Sequence, residues 1–359
     1  MTTGCNVAVF YIMGKDMKYC FDGRFLSSMS SGVDRYAYQI LNELDKICKG
    51  KDISILVPAN AVSVPEYRNI KVIRSRFSQC WTQGVFGLYT RLHGYTPVNL
   101  CNEASMIAPK GIVCLHDVCY AETADIFPQI NDYPPEEILW FNKVYKRIKK
   151  KADTVITVSQ FSKGRIEDLL KIDGSRIQVI GNGWQHFKDV VPDESCFKKY
   201  PSIKKGEYYF TLTSCNKNKN VNWVLKCARA NPEDTFVIAG KNLDMIIGSE
   251  RLNNVIYVGF ASDGMAKALM TYCKAFIFPS YYEGFGIPPL EALSVGAKII
   301  VSDRASLPEI FGKAAVYISP DDPYVNLSEL MKEETTGSEE ILDAYSWEKQ
   351  AYKLNQLLV

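Results

Sequence analysis

The 359-residue chain has no excess of one charge, since 42 Lys and Arg face 40 Asp and Glu for a formal net charge of +2. A balance so near neutrality leaves no electrostatic footprint for nucleic acid, and none is expected as a partner. Histidine is scarce, with three residues, and neither these nor the eleven cysteines fall at ligand spacing. There is no C-x-x-C pair and no D-x-D motif, so no metal is expected. The cysteines are scattered and odd in number, and no signal-like segment opens the chain. Reduced thiols and a cytoplasmic protein are the expectation. No apolar run approaches the roughly 18 residues that span a bilayer. A G-x-G-x-x-G loop is also missing, which argues against an ordinary dinucleotide site.

Apolar residues are abundant. They make up 47% of the chain, with 21 Tyr and 17 Phe, and the length exceeds what one ordinary core holds. Two domains are expected. The clearest unit runs from Phe276 to Val301. Ala275-Phe276-Ile277-Phe278 is a short buried-strand pattern, Pro279-Ser280 ends it, and Tyr281 to Gly286 form a loop. Pro288 and Pro289 sit where a helix begins, Gly296 lies at its C-cap, and Lys298 to Val301 form the next strand. Strand, glycine-containing loop, helix and strand make a βαβ unit, whose ligand belongs at the loop beyond the first strand. Gly284 and Gly286 allow close backbone approach, and the helix N-terminus favours an anion such as phosphate. Glu291 is placed to accept from both hydroxyls of a ribose, and Glu283 to face a sugar beyond the phosphate. The plainer alternative makes Glu291 a helix-terminal carboxylate and Glu283 a solvated loop acid.

The run Glu283-Gly-Phe-Gly-Ile-Pro-Pro-Leu-Glu291-Ala resembles the Glu, seven residues, Glu signature of retaining glycosyltransferases with the GT-B fold, specifically family 4. The similarity extends from Val258-Gly259-Phe260 to Pro320-Asp321-Asp322, densely in the second half of the chain and sparsely in the first. It implies an α/β GT-B protein, two Rossmann-like doubly wound domains facing a cleft. It further implies a nucleotide-sugar-dependent hexosyl- or deoxyhexosyltransferase that transfers to a hydroxyl of a glycan or lipid-linked acceptor in surface polysaccharide or glycoconjugate assembly. The nucleotide diphosphate sugar is then a co-substrate, and no other cofactor is expected. A nucleotide-sugar epimerase of the same architecture and a glycan-binding relative without catalysis are the alternatives.

Under that resemblance the remaining residues take roles in chain order. Val7 to Ile12 is expected as the first strand. Ser31-Gly32-Val33-Asp34-Arg35-Tyr36 is similar to the family's phosphate-approaching loop, with Ser31 in place of a glycine and Gly32 as the transferable position; an ordinary helix cap is the alternative. The aromatic stretch from Phe77 to Leu100 suits either core packing or an acceptor face. His116-Asp117 follows an apolar strand in the family's manner, which implies that His116 orients the transferred sugar and Asp117 holds the turn or the histidine's tautomer. Lys219 matches the diphosphate-binding lysine, with Lys217 as helper, while Ser214 stands where an arginine often falls. By resemblance Phe260 lies near the base. Gly284, Phe285, Gly286 and Glu291 complete the expected donor site, and Glu283 and His116 the catalytic pair.

The expected division is 1–187, an acceptor-side domain; 188–340, the nucleotide-sugar domain; and 341–359, a helix crossing back to the first domain. A helix within 134–151 has one apolar face and a basic side. Either it packs with a solvated face, or Trp140 and the cations from Lys143 to Lys151 touch anionic lipid at the inner face of a membrane.

Overall fold

The computed structural model describes residues 17–28, 31–123, 126–127, 133–241 and 252–358. It contains two parallel sheets. The first has seven strands: β1 Tyr19–Asp22, β2 Ile53–Val57, β3 Lys71–Arg74, β4 Thr96–Asn99, β5 Gly111–Cys114, β6 Ala152–Thr157 and β7 Ile177–Val179, in the order 3-2-1-4-5-6-7. The second has six: β8 Tyr208–Ser214, β9 Thr235–Lys241, β10 Val255–Gly259, β11 Ala275–Phe278, β12 Ile299–Ser302 and β13 Val316–Ile318, in the order 10-9-8-11-12-13. Both sheets therefore reverse direction once, beside β1 and β4 in the first and beside β8 and β11 in the second. Such reversal points open a crevice at the carboxyl ends of the strands. The expected doubly wound α/β class is what the chain adopts.

β11 shows how the sequence builds the second sheet. All four of its residues are buried. Phe276 and Phe278 pack on one side with Leu290 and Leu293 of the helix Ile287–Ser294, while Ala275 and Ile277 pack on the other with Val224 and Cys227 of the helix Val221–Ala230. A parallel strand covered on both faces requires such an uninterrupted apolar run.

The strand expected at 7–12 lies outside the described residues. Tyr19–Asp22, not expected as a strand, pairs with β2 and β4. Its last residue, Asp22, is buried and accepts hydrogen bonds from Trp81 Nε1 (2.6 Å), Thr82 Oγ1 (2.8 Å) and Asn99 Nδ2 (2.9 Å). Burial pushes the Asp22 carboxyl up, and the donors from Trp81 and Thr82 oppose that. Trp81 and Phe86 pack with Cys20 and Leu56, so these two members of the aromatic stretch serve a core, while Phe77 is exposed.

The segment 188–207, expected to be a polar linker, carries a short helix, Ser195–Lys199, and buries Cys196 and Ile203. The C-terminal helix Trp347–Leu357, capped by Ser346, packs along the helix Gly32–Ile47 of the first lobe. The ten cysteines of the described residues are free, and burial pushes the thiols of Cys20, Cys227 and Cys273 up to about 12, away from reactivity. Among the described residues no helix is long and apolar enough to cross a membrane.

Candidate active site between the two lobes

The two crevices face each other and enclose a cavity of about 600 Å³. The end of β8 and the loop after it supply Ser214, Asn216, Asn218 and Lys219; the loop after β11 and the start of the next helix supply Glu283 to Ile287; and the first lobe supplies Ser31, Gly32, Arg35, His116 and Asn182. Eight of the residues singled out in the sequence for donor binding or catalysis line it, namely Gly32, His116, Lys219, Glu283, Gly284, Phe285, Gly286 and Glu291, whereas Lys217 and Phe260 do not. A groove of similar size, about 660 Å³, lies outside the cleft between Tyr120, Tyr145, Lys146 and Lys149 and holds none of them.

The loop after β11 is held by its own backbone. Gly286 is the N-cap of Ile287–Ser294 with φ of +102°, in the left-handed region that a side chain disfavours. A Cβ there would meet Leu307 Cδ2 at 2.7 Å. Gly284 also abuts the first lobe: a Cβ on it would lie 2.5 Å from the His116 carbonyl oxygen, so its bareness lets the lobes close on each other. Ser162 Oγ lies between the two segments, 3.1 Å from the His116 carbonyl and 3.4 Å from that of Gly284, and shares its one hydroxyl proton between them. Phe285 turns its ring into the core, edge-on to Tyr345 at 5.0 Å.

Lys219 Nζ donates to Glu283 Oε1 at 2.7 Å. An ammonium carries three N–H donors, so this pairing leaves two for an incoming anion. Lys217, in the same turn, is not part of the cavity wall, and Ser214 Oγ accepts from the Asn216 amide at 3.3 Å. Phe260 is 64% exposed, with Lys241 Nζ 4.9 Å from its ring centre, and does not line the cavity.

Glu291 is buried and already engaged. Its Oε1 accepts from Arg35 Nη1 across the cleft (2.7 Å) and from His186 Nε2 (2.8 Å). One carboxylate oxygen is thus occupied, and Oε2 remains for the ribose hydroxyls expected at Glu291. Arg35 also forks onto Asp263 at 3.0 and 3.1 Å. His186, Asp263 and the pairing of Arg35 were not singled out in the sequence. Arg35 and Glu291 stand 256 positions apart, so no local pattern connects them; the one available signal was a histidine three residues beyond Gly183.

His116 is buried, and Nε2 lies 2.9 Å from the Leu100 carbonyl, which can only accept. Burial lowers its pKa from the usual 6.5, so the ring is neutral with its proton on Nε2, and Nδ1 is left as an acceptor. Leu100, rather than Asp117, sets the tautomer; Asp117 Oδ1 accepts from the Cys119 amide at 3.1 Å and holds the turn. Ser31 caps its helix through a reciprocal pair with Asp34.

Two asparagines of the wall keep an unpaired oxygen buried behind it. Asn218 Nδ2 donates to the Tyr282 carbonyl (2.9 Å), which fixes the amide, and its buried Oδ1 has no partner. The Oδ1 of buried Asn182 is likewise unpaired. Among the described residues no three His, Cys, Asp or Glu side chains gather as metal ligands.

The same arrangement of lobes occurs in solved proteins. Sucrose-phosphate synthase from Thermosynechococcus elongatus superposes over 95% of this chain and 98% of its own, with a TM-score of 0.69 at 16% identity. Anabaena HepE, solved with UDP and glucose, covers 95% of this chain and 99% of its own at a TM-score of 0.65 and 16% identity. The fold is GT-B. Within this GT-B chain, residues 193–358 match the family model described as glycosyl transferases group 1. O-antigen chain mannosyltransferase B of Escherichia coli is 24% identical over 230 residues, 59% of this chain and 58% of that protein. The chain therefore spans little more than half the length of this curated relative.

Proposed function

We propose that this GT-B chain is a retaining glycosyltransferase of family 4. It moves a hexosyl or deoxyhexosyl group from a nucleotide diphosphate donor to a hydroxyl of a glycan or lipid-linked acceptor in surface polysaccharide assembly. The observation that carries the reading is the convergence of Lys219, Glu283 and Glu291 on one cavity between the lobes. A cation beside carboxylates suits a ligand that is anionic at one end and rich in hydroxyl donors elsewhere, as a nucleotide sugar is. The group 1 match and the mannosyltransferase relative support the same class.

In this reading Lys219 keeps Glu283 in place with one N–H and turns the others to the diphosphate. Charge building on the leaving phosphate is met by that ammonium and by the amides at Gly32 and Gly286, without recourse to a metal ion. Glu283 anchors sugar hydroxyls, and His116 Nδ1 accepts from one more. The C1–O bond to the phosphate breaks, a C1–O bond to the acceptor forms on the same face, and the departing phosphate oxygen takes the acceptor's proton. A second cavity of about 420 Å³ shares Ser31 and Val33 with the first and is walled by Arg24, Ser27, Asn102 and Glu103 of the first lobe. The acceptor sugar enters there.

Contact with an anionic membrane belongs to the same reading. Trp140 is 41% exposed on the helix Pro135–Lys151, beside exposed Lys143 and Lys146. Arg147 is not part of that face, because it donates to the carbonyls of Ser105 (2.8 Å) and Ala108 (2.7 Å).

Product analysis with labelled nucleotide sugars tests the proposal. Transfer that requires an acceptor, keeps the anomeric configuration and is lost in Glu283→Ala is expected. Epimerised donor formed without acceptor would move the chain to the epimerase class, and full activity in Glu283→Ala would remove the site.

A further inference from the structure

The least expected neighbour of Glu291 comes from the end of the chain. Trp347, the first residue of the C-terminal helix, is buried and directs its indole Nε1 at His186 Nδ1, 2.9 Å away. An indole N–H can only donate, so Nδ1 must accept and the ring proton of His186 must sit on Nε2. That nitrogen lies 2.8 Å from Glu291 Oε1. The chain of hydrogen bonds thus has one direction, from Trp347 to His186 to Glu291. Arg35 Nη1, 3.1 Å from His186 Nε2, is a second donor converging on the same oxygen. His186 sits in the short turn Gln185–Phe187 directly after the first lobe's last crossing, and the Trp347 amide is itself fixed by Gln185 Oε1 at 3.0 Å.

We propose that His186, locked by Trp347, is a positioning residue for the ribose-binding carboxylate, and that the C-terminal helix is by this route part of the donor site. With Oε1 held by His186 and Arg35, the carboxylate cannot rotate freely, and Oε2 is presented to a ribose hydroxyl. The relay rests on the reading of Glu291 as the ribose ligand; what it adds is the source of that group's orientation. A side chain that must accept from a small hydroxyl gains from being held before the ligand arrives, as metal ligands do from the groups behind them.

The test compares a ribonucleoside diphosphate with its 2′- and 3′-deoxy counterparts by titration calorimetry, using whichever of UDP, GDP and ADP binds the wild-type full chain best. A hydrogen bond to a carboxylate makes the ribose form bind about tenfold tighter or more. Glu291→Gln lowers that ratio. His186→Leu and Trp347→Phe are expected to lower it about threefold or more while leaving binding of the deoxy forms near wild type, and His186→Gln, which keeps a donor toward Glu291 and an acceptor toward Trp347, to retain it. Trp347→Phe keeps the ring packing and removes only the N–H, so it carries the test if His186→Leu fails to fold. A wild-type ribose preference that survives unchanged in His186→Leu or Trp347→Phe overturns the relay alone, as does an equal loss of ribose and deoxy binding. Wild-type protein that binds none of the three nucleotides overturns the donor reading and the relay together.

Discussion

His116 shows how burial assigns a role that the residue type leaves open. The ring is buried, donates to Leu100 and packs edge-on against Tyr36 at 4.7 Å. Its pKa is lowered from 6.5 mainly by loss of solvation, against smaller opposing contributions from the Leu100 hydrogen bond, Asp117 and Asp34. An unfolded chain takes up the proton near 6.5 while the folded one does not. The stability associated with a neutral His116 is therefore present above that value and is lost as pH falls toward the depressed folded one. Urea unfolding followed from pH 7 to pH 5.5 should show stability falling, and His116→Asn should flatten that slope; an unchanged slope would mean the ring is not held neutral. At this scale the residues of the cavity wall that carry a local pattern were legible. Glu283 and Glu291 share a loop and a helix, and Lys219 lies in a short polar turn. His186, Asp263 and the reach of Arg35 were not, because their meaning depends on pairings across the cleft.

Elements formed where composition is decisive. β11 has only apolar residues, and the helix after it begins on two prolines and ends before Gly296, at φ +81°. The strands not foreseen lack such marks. Tyr19–Asp22 ends in an aspartate, Thr96–Asn99 contains Pro97 although it lies between β1 and β5, and Val316–Ile318 has three residues at a sheet edge. Proline argues against a central strand, and here the tertiary setting overrides it. Glycines divide by what surrounds them. Gly286→Ala combines a left-handed backbone with the approach to Leu307, and should cost about 1–3 kcal/mol. Gly164, inside the helix Gln160–Leu170 with open space around it, should become more stable as Ala by up to about 1 kcal/mol. Chemical denaturation of both variants checks the pair, and equal effects would contradict the role given to Gly286.

Across the whole molecule the lobes are joined by charge as well as by packing. Glu309 of the second lobe accepts from the Gln160 and Phe161 amides, both at 2.7 Å, at the start of a first-lobe helix. Glu122 is buried, paired with Arg165 at 2.8 and 2.6 Å, and accepts from the Tyr282 hydroxyl of the second lobe at 2.9 Å. Its removal leaves Arg165 without its principal partner, so Glu122→Ala should cost about 3 kcal/mol in urea unfolding, against about 1 kcal/mol for Tyr282→Phe. A smaller loss in Glu122→Ala than in Tyr282→Phe would contradict the clasp. The two-lobed α/β architecture was legible from length, from the βαβ unit and from the family likeness. How tightly the lobes close was not, since Gly284, Arg35 and Tyr282 each meet partners distant in the chain.

The cleft itself is tested most directly by a thermal-shift panel of nucleotide diphosphate sugars against wild type, Lys219→Ala and Glu291→Ala. A ligand that binds only the folded state raises its melting temperature. At least one nucleotide sugar should stabilise the wild type, and both variants should lose most of that shift. No shift with any member, or a shift that both variants keep in full, would contradict a diphosphate sugar bound between the lobes.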